Sequence, residues 1–333
     1  MALGFQSQVY VYPAPAVVGA RASLNPTSTV DAGPLGLTAG VLGVIVGKFA
    51  WVSYAVAGGP GVANNFSPTV PTAPNGFVCN EQQALITTWL GINGLAIPPG
   101  YPVTLFGRGD FWARSIYADA AIGQKVFANL FSGDVYPAAA GAFVSAAVGS
   151  SAVLASVSFA ANSYTMTINT ITSGTVAIGQ QVVGVNVPFN CYIESAGTLP
   201  LPASSGSGTV NVTAAPPVAI TTQPMTTIAN VGIGGAVCSS VSSASSTTLT
   251  INTVTSGAIA VGQMIQAITN IPAGTYVSSI GTFNGTSGTI IMSAASTGTI
   301  TAQACNFSAW IETPWYFTSP GNAGDLCKIG ILN

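Results

Sequence analysis

The charged residues of this chain are distributed unevenly, and this divides the sequence into two parts. Glu194 is the only charged residue among the 158 residues from Gly149 to Asn306, whereas the other 13 charged residues lie in the remaining 175. All five tryptophans also lie outside this stretch. Because the C-terminal residues regain the aromatic and charged character of the first half, we interpret residues 149–306 as an insertion. The host domain then consists of residues 1–148 and 307–333.

The insertion contains two copies of one module. Residues 167–180 and 250–263 are identical at ten of 14 positions, at a constant offset of 83 residues. Each copy alternates apolar residues with serine or threonine over short runs that end at glycine-containing turns, which is typical of antiparallel strands. Two copies with so long a period do not make a solenoid. We therefore predict two tandem small β-domains, at residues 149–231 and 232–306, joined by the glycine-rich residues 232–235.

The host segments also have the character of strands, because proline and glycine recur too often for long helices. The sequence allows one short helix, after Asn80. The first 30 residues contain three prolines and are predicted to be an extended arm. The chain as a whole is thus predicted to be all-β. The predicted host strands are residues 5–12, 44–56, 84–89, 101–106, 125–131, 309–317 and 326–331.

The composition argues against most kinds of chemistry. Charged residues make up 4% of the chain and histidine is absent, so the imidazole bases of common catalytic triads and metal sites are missing. Six basic residues and a net charge of −2 argue against binding nucleic acid. No run approaches the roughly 18–20 apolar residues that span a membrane. We predict no enzymatic activity, no catalytic residue, no cofactor, no metal, and neither nucleic acid nor membrane as a partner.

Several groups of residues have both a functional and a structural interpretation. Asp110 and Asp119 could act as an acid and base pair, but a structural or intersubunit network of ion pairs is the favoured interpretation of the cluster in which they lie. The tripeptide at 108–110 spells a cell-adhesion motif, yet its apolar neighbours favour burial. The tryptophans are assigned mainly to the core. The cluster comprises Arg108, Asp110, Arg114, Asp119, Lys125 and Asp134.

The five cysteines have no spacing that is typical of metal or redox sites. Their odd number leaves at least one unpaired, and buried thiols are the favoured interpretation. Cys238 and Cys305 flank one repeat and could meet in space, so a disulfide between them stays open. The N-terminus has no basic region followed by a continuous apolar stretch, which predicts synthesis and retention in the cytoplasm.

Six segments of the host carry a resemblance to a known family: residues 1–10, 46–51, 81–88, 97–106, 109–112 and 312–316. They resemble the structural cement proteins of tailed bacteriophages. The similarity covers roughly residues 1–148 and 307–333, whereas the repeats resemble glycine- and threonine-rich β-modules of phage surface proteins. The resemblance implies a capsid-binding β-barrel or jelly-roll-like host domain, here interrupted by the two tandem β-domains.

The resemblance implies a structural virion protein that decorates the outer surface of the capsid. It would bind the major capsid protein and stabilise contacts between neighbouring copies, with the N-terminal arm lying across capsid subunits. It would be made in the bacterial cytoplasm and act as a homo-oligomer, for which we favour a trimer over a dimer. The alternative is that the repeats bind a host glycan or cell surface, with Tyr192 and Tyr276 as equivalent stacking positions, although a core tyrosine repeated in both copies is the favoured interpretation of this pair.

Overall fold

The computed structural model describes residues 16–40, 43–54, 59–67, 70–81, 95–115, 117–142, 144, 151–177, 180–183, 187, 191–216, 218–228, 235–257, 259–266, 268–283 and 287–331. These residues form 25 β-strands and no helix, which confirms the prediction of an all-β chain. A helix long and apolar enough to cross a membrane is accordingly not found in these ranges. The predicted strands at residues 5–12 and 84–89, and the short helix after Asn80, lie outside the described residues.

The host strands have two to eight residues, and strands of nine or ten residues occur within the insertion and at its end. Those before the insertion are β1 (Ser28–Thr29), β2 (Leu37–Ala39), β3 (Val44–Ile45), β4 (Phe49–Ser53), β5 (Gly61–Asn64), β6 (Gly76–Val78), β7 (Ala96–Ile97), β8 (Leu105–Arg108), β9 (Asp110–Arg114), β10 (Lys125–Asn129) and β11 (Val135–Ala138). The others are β12 (Ser151–Phe159), β13 (Thr165–Ser173), β14 (Gln181–Val183), β15 (Ile193–Ala196), β16 (Gly208–Val212), β17 (Ile220–Ile228), β18 (Gly235–Ala244), β19 (Thr248–Gly257), β20 (Met264–Gln266), β21 (Val277–Ile280), β22 (Gly288–Met292), β23 (Thr299–Ser308), β24 (Trp310–Phe317) and β25 (Leu326–Gly330).

The host residues form two main sheets. One has six strands in the order β1-β8-β6-β4-β5-β2, and the other has five in the order β11-β10-β24-β25-β9. Three of the predicted host strands are observed as β10, β24 and β25, and the strand predicted at 101–106 begins only at Leu105. The strand predicted at 44–56 is broken into β3 and β4, because Gly47 adopts a left-handed φ of 80° between them.

An aromatic core lies between these two sheets. The ring of Trp315 in β24 lies 6.0 Å from Phe49 and 5.8 Å from Phe111, and Phe77 stacks on Phe111 at 5.4 Å. Trp51, Trp310 and Trp315 are buried, as predicted for core residues, while Trp112 is half-buried. Trp89 lies outside the described residues. Such edge-on and offset ring contacts add to the hydrophobic stabilisation of the host.

The inserted residues form two six-stranded sheets with the same connectivity. The first has the order β14-β17-β12-β13-β16-β15, and the second has the order β20-β23-β18-β19-β22-β21. Every strand of the first sheet thus has a counterpart six strands later in the chain. Of the glycine-rich residues 232–235, only Gly235 is described, and it begins β18.

The two inserted sheets differ in how their cores meet the host. The first has a separate hydrophobic cluster that includes Leu154, Ile168 and Val210. The core of the second is continuous with the host core, and the cluster runs from Cys305 and Phe307 into the aromatic residues described above. The boundary predicted after Asn306 falls inside β23, since Phe307 still pairs with Ala236 of β18. Only Ala309 separates β23 from β24.

Candidate functional site

The charged residues of the host form ion pairs that connect distant parts of the chain. Lys48 pairs with Asp134, Lys125 with Glu312, Lys328 with Asp110 and Arg21 with Glu81. The predicted cluster of charges at residues 108–134 is therefore divided among several sites. Three of its members, Asp110, Lys125 and Asp134, each pair with a residue outside the cluster.

The most deeply buried carboxylate is that of Asp134, in the turn between β10 and β11. Its side chain is 1% exposed, and Oδ1 accepts from Lys48 Nζ at 2.9 Å. Oδ2 accepts from Ser132 Oγ at 2.6 Å and from the Tyr117 hydroxyl at 3.1 Å. Burial, and then the nearby carboxylate, raises the pKa of Tyr117. Because Lys48 precedes β4, this site ties one host sheet to the other.

Lys125 forms a second link, at the start of β10. Its Nζ lies 3.6 Å from Glu312 Oε1 and 3.9 Å from the ring centre of Tyr316, which gives a salt bridge and a cation–π contact. Glu312 Oε2 accepts from the backbone amide of Gly141 at 2.7 Å. The segment that leads into the insertion is thereby fixed to the strand that follows it.

Asp110 is the centre of a third network, and it anchors the N-terminal segment. Its Oδ2 accepts from Ser23 Oγ and from Asn25 Nδ2, each at 2.6 Å, and lies 3.6 Å from Lys328 Nζ. Asp119 instead accepts from the backbone amide of Ala323 at 2.8 Å. The two carboxylates serve different segments, so the structure does not support them as an acid and base pair. The carboxylate of the tripeptide 108–110 is that of Asp110, which already accepts these hydrogen bonds from within the chain.

Residues 16–30 form a strap over the host domain. The amide of Gly19 donates to the carbonyl of Trp112 at 2.7 Å, and that of Ala22 donates to the carbonyl of Asp110 at 2.8 Å. Farther along, β1 pairs with β8, and Arg21 lies 5.1 Å from the ring centre of Phe106. Residues 16–30 of the predicted extended arm therefore lie on the host domain itself, because β8 and β9 satisfy their backbone groups. Residues 1–15 lie outside the described residues.

The five thiols are buried and unpaired. Burial raises the pKa of Cys79 and of Cys238 to about 11, and that of Cys191 to about 12. Cys238 and Cys305 are direct partners across β18 and β23, so the two sulfur-bearing residues do meet in space. Thiols whose pKa is raised in this way are poor nucleophiles at neutral pH.

The two tyrosines proposed as glycan-stacking positions are not equivalent. Tyr192 is fully buried, and its ring lies 5.0 Å from that of Phe66 in the host. Its hydroxyl has no hydrogen-bond partner among the described residues, and burial raises its pKa. Tyr276 is half-buried. The interpretation of Tyr192 as a stacking position is therefore wrong, because the host covers its ring, and the favoured interpretation of a core tyrosine is confirmed for this residue.

The outer faces of the inserted sheets instead carry matching rows of hydroxyl groups. In the first sheet, Thr167 lies between Ser158 and Thr209. In the second sheet, Thr250 lies between Ser242 and Thr289. Each row ends in a pair of threonine hydroxyls, 3.2 Å apart in the first sheet and 3.0 Å apart in the second. These positions are polar and uncharged in both copies.

No group of three or more potential metal ligands occurs in the described residues. The ionisable side chains that are brought together form structural links, and no pair of them is arranged as a nucleophile and base. What the arrangement does offer is a host domain linked by internal ion pairs, with a tethered strap and two sheets whose single charged residue is Glu194, in β15.

Residues 5–165 match the model of a family described as the XM1 gp53 minor capsid protein. This part of the chain resembles a phage minor capsid protein. The match to the minor capsid family begins before the strap and ends at the start of β13, so it includes the N-terminal host segment and β12. Searches of curated proteins and of solved structures each found no match. The similarity supports a structural role in the phage virion and association with the capsid.

Proposed function

We propose that this protein is a cement protein, which binds the outer surface of a phage capsid and bridges neighbouring major capsid proteins. The observation that carries the proposal is the match of residues 5–165 to a minor capsid protein family. The all-β host and its internal ion pairs suit a protein whose task is to hold a fixed shape. Such a role needs no catalytic group.

The proposed division into host and insertion is supported by contacts at the junction. Ser308 Oγ donates to the carbonyl of Val144 at 2.7 Å, so the chain leaves and re-enters the host at neighbouring points. Val144 also packs in one cluster with Phe127 and Trp310. An insertion requires such proximity of its two ends. In our proposal the host binds the capsid, and the two β-domains point away from it.

Binding would stabilise the capsid by adding modest contacts at many symmetric sites. A closed homo-oligomer, for which we favour a trimer, would engage several capsid subunits at once. Each interface would be expected to have an apolar centre and a polar rim. Sedimentation velocity of the free protein tests the oligomeric state, and a monomer at micromolar concentration would argue against a preformed trimer.

The decisive experiment uses heads of the phage that encodes this chain, assembled without it. Purified protein is added, the heads are sedimented, and bound copies per head are counted. We expect saturable binding and greater resistance of decorated heads to heating. A cryo-electron microscopy map would then place the host on the outer shell. Absence of the protein from purified virions, together with no binding to heads, would refute the proposal.

A second candidate function is the binding of a neutral glycan by the inserted sheets. The matching hydroxyl rows, centred on Thr167 and Thr250, favour it over the buried tyrosine described above. Uncharged hydroxyl groups suit a partner that is also uncharged. The full chain can be applied to an array of bacterial surface glycans, with Thr250→Val as the matched variant. Binding that the variant does not alter would remove the hydroxyl face as the site.

A further inference from the structure

Leu24 is held in solvent at the tip of the strap. Its relative exposure is 104%, the highest among the large hydrophobic residues that the structure describes. Single exposed leucines are common on protein surfaces and need no explanation by themselves. What distinguishes Leu24 from the other exposed apolar residues is the set of hydrogen bonds that holds the residues on either side of it.

Both neighbours of Leu24 are anchored to one carboxylate oxygen. Ser23 Oγ and Asn25 Nδ2 each donate to Asp110 Oδ2 at 2.6 Å, and the amide of Asn25 donates to Ser23 Oγ at 3.1 Å. The preceding amide, that of Ala22, donates to the backbone carbonyl of Asp110. Hydrogen bonds to an ionised group are about twice as strong as neutral ones. The turn is therefore fixed on both sides of the leucine.

A preorganised apolar side chain is well suited to fill a pocket on another protein. Much of the cost of binding comes from ordering flexible groups at the interface, and a fixed turn lowers that cost. The tip residues 23–26 are themselves uncharged, Asp110 beneath them is paired with Lys328, and Arg108 lies beside the turn. An exposed, fixed leucine on such a tip indicates an apolar receiving site.

We propose that Leu24 is an anchor that inserts into an apolar pocket of the major capsid protein. The inference rests on the proposed capsid-binding function and assigns a contact residue to it. Leu24 lies within the residues that match the minor capsid family.

The test measures binding of purified variants to heads assembled without the protein. Leu24→Ser should raise the dissociation constant per site about tenfold to 100-fold, the loss expected when burial of one leucine is removed. The matched control is Ile122→Ser, since Ile122 is also apolar, on a host turn and 69% exposed. It should change the constant less than about threefold. The double variant Ser23→Ala with Asn25→Ala keeps the leucine but frees the turn, and should weaken binding less than Leu24→Ser does.

The outcomes separate the inference from the function on which it rests. If the wild-type protein does not bind heads, the capsid-binding function itself is wrong. If it binds and Leu24→Ser binds equally well, or no worse than Ile122→Ser, the anchor is wrong while the function stands. Sedimentation velocity of the free variants gives a further check: dissociation of an oligomer by Leu24→Ser would assign the leucine to a contact between copies of this chain and overturn the proposal.

Discussion

The ion pair between Lys48 and Asp134 gives a direct test of what holds the two host sheets together. The perturbation is Lys48→Met, which keeps much of the side-chain volume and removes the charge. Asp134 is 1% exposed, so its carboxylate cannot recover water when Lys48 is lost, although it keeps the donors Ser132 and Tyr117. Removing one partner of a buried pair costs about 3–5 kcal/mol. We take the lower value, about 3 kcal/mol, because Lys48 is itself 18% exposed.

Tryptophan fluorescence is the appropriate assay because all five tryptophans belong to the host segments. At about 2–4 °C per kcal/mol for a domain of this size, Lys48→Met should lower the melting temperature by about 6–12 °C. The control is Arg114→Met, which removes the same charge from an exposed position and should shift it by about 1–2 °C.

A double-mutant cycle then isolates the pair. Asp134→Asn should also destabilise the host, and the double variant should lose less than the sum of the single losses by about 2 kcal/mol. If Lys48→Met melts within 2 °C of the Arg114→Met control, the pair does not hold the sheets together and the reasoning is refuted.

Three further predictions concern the cores and the pH dependence of stability. Phe307→Ala should reduce the stability of the host by about 3–5 kcal/mol and so lower the melting temperature that tryptophan fluorescence reports. Phe159→Ala, in the separate core of the first inserted sheet, should leave that melting temperature unchanged. Equal shifts for the two variants would contradict the description of two separate cores. Tyr192→Phe should be neutral or stabilising in calorimetry, because its buried hydroxyl has no hydrogen-bond partner among the described residues, and Tyr276→Phe should have no effect. A loss above about 1 kcal/mol in Tyr192→Phe would show that the hydroxyl does have a partner. With no histidine, stability should be flat from about pH 6 to 8. Burial raises the pKa of the thiols above the unfolded value of about 8.5, so their contribution to the free energy of unfolding is complete below that pH. This contribution is lost as the pH rises towards 11–12, by up to about 1.4 kcal/mol per pH unit for each thiol. A melting temperature that stays constant to about pH 11 under reducing conditions would contradict the expected loss.

The sequence predicted the strand content because its signals are local. Alternation of apolar residues with serine and threonine specifies a strand with one buried face, and β13 follows this pattern up to Ile168 and β19 up to Ile251. The bounds of the host strands are harder to predict from the sequence, because glycine and proline break these strands into short pieces. The interruption at Gly47 is an example, since only the fold requires its left-handed backbone. A jelly-roll arrangement of the host stays a prediction.

The partners of the charged residues were not predictable, because they depend on long-range contacts. Asp110 and Asp119 are near in sequence, yet they bind segments that come from opposite ends of the chain. The burial of Tyr192 depends on Phe66, more than 120 positions earlier. The anchored turn at Leu24 had only a weak local signal, a serine and an asparagine flanking the leucine and followed by proline, which is typical of turns in general.

The short connection between β23 and β24 has a mechanical consequence. With only Ala309 between them, a load applied to the second inserted domain passes directly into the strand that carries Trp315. No flexible linker separates these two strands, and the hydrogen bond from Ser308 to Val144 holds the other end of the insertion close to the same point. A force on the second inserted sheet would thus be borne by the aromatic core of the host. That sheet and the host would then respond to the force as one stiff unit.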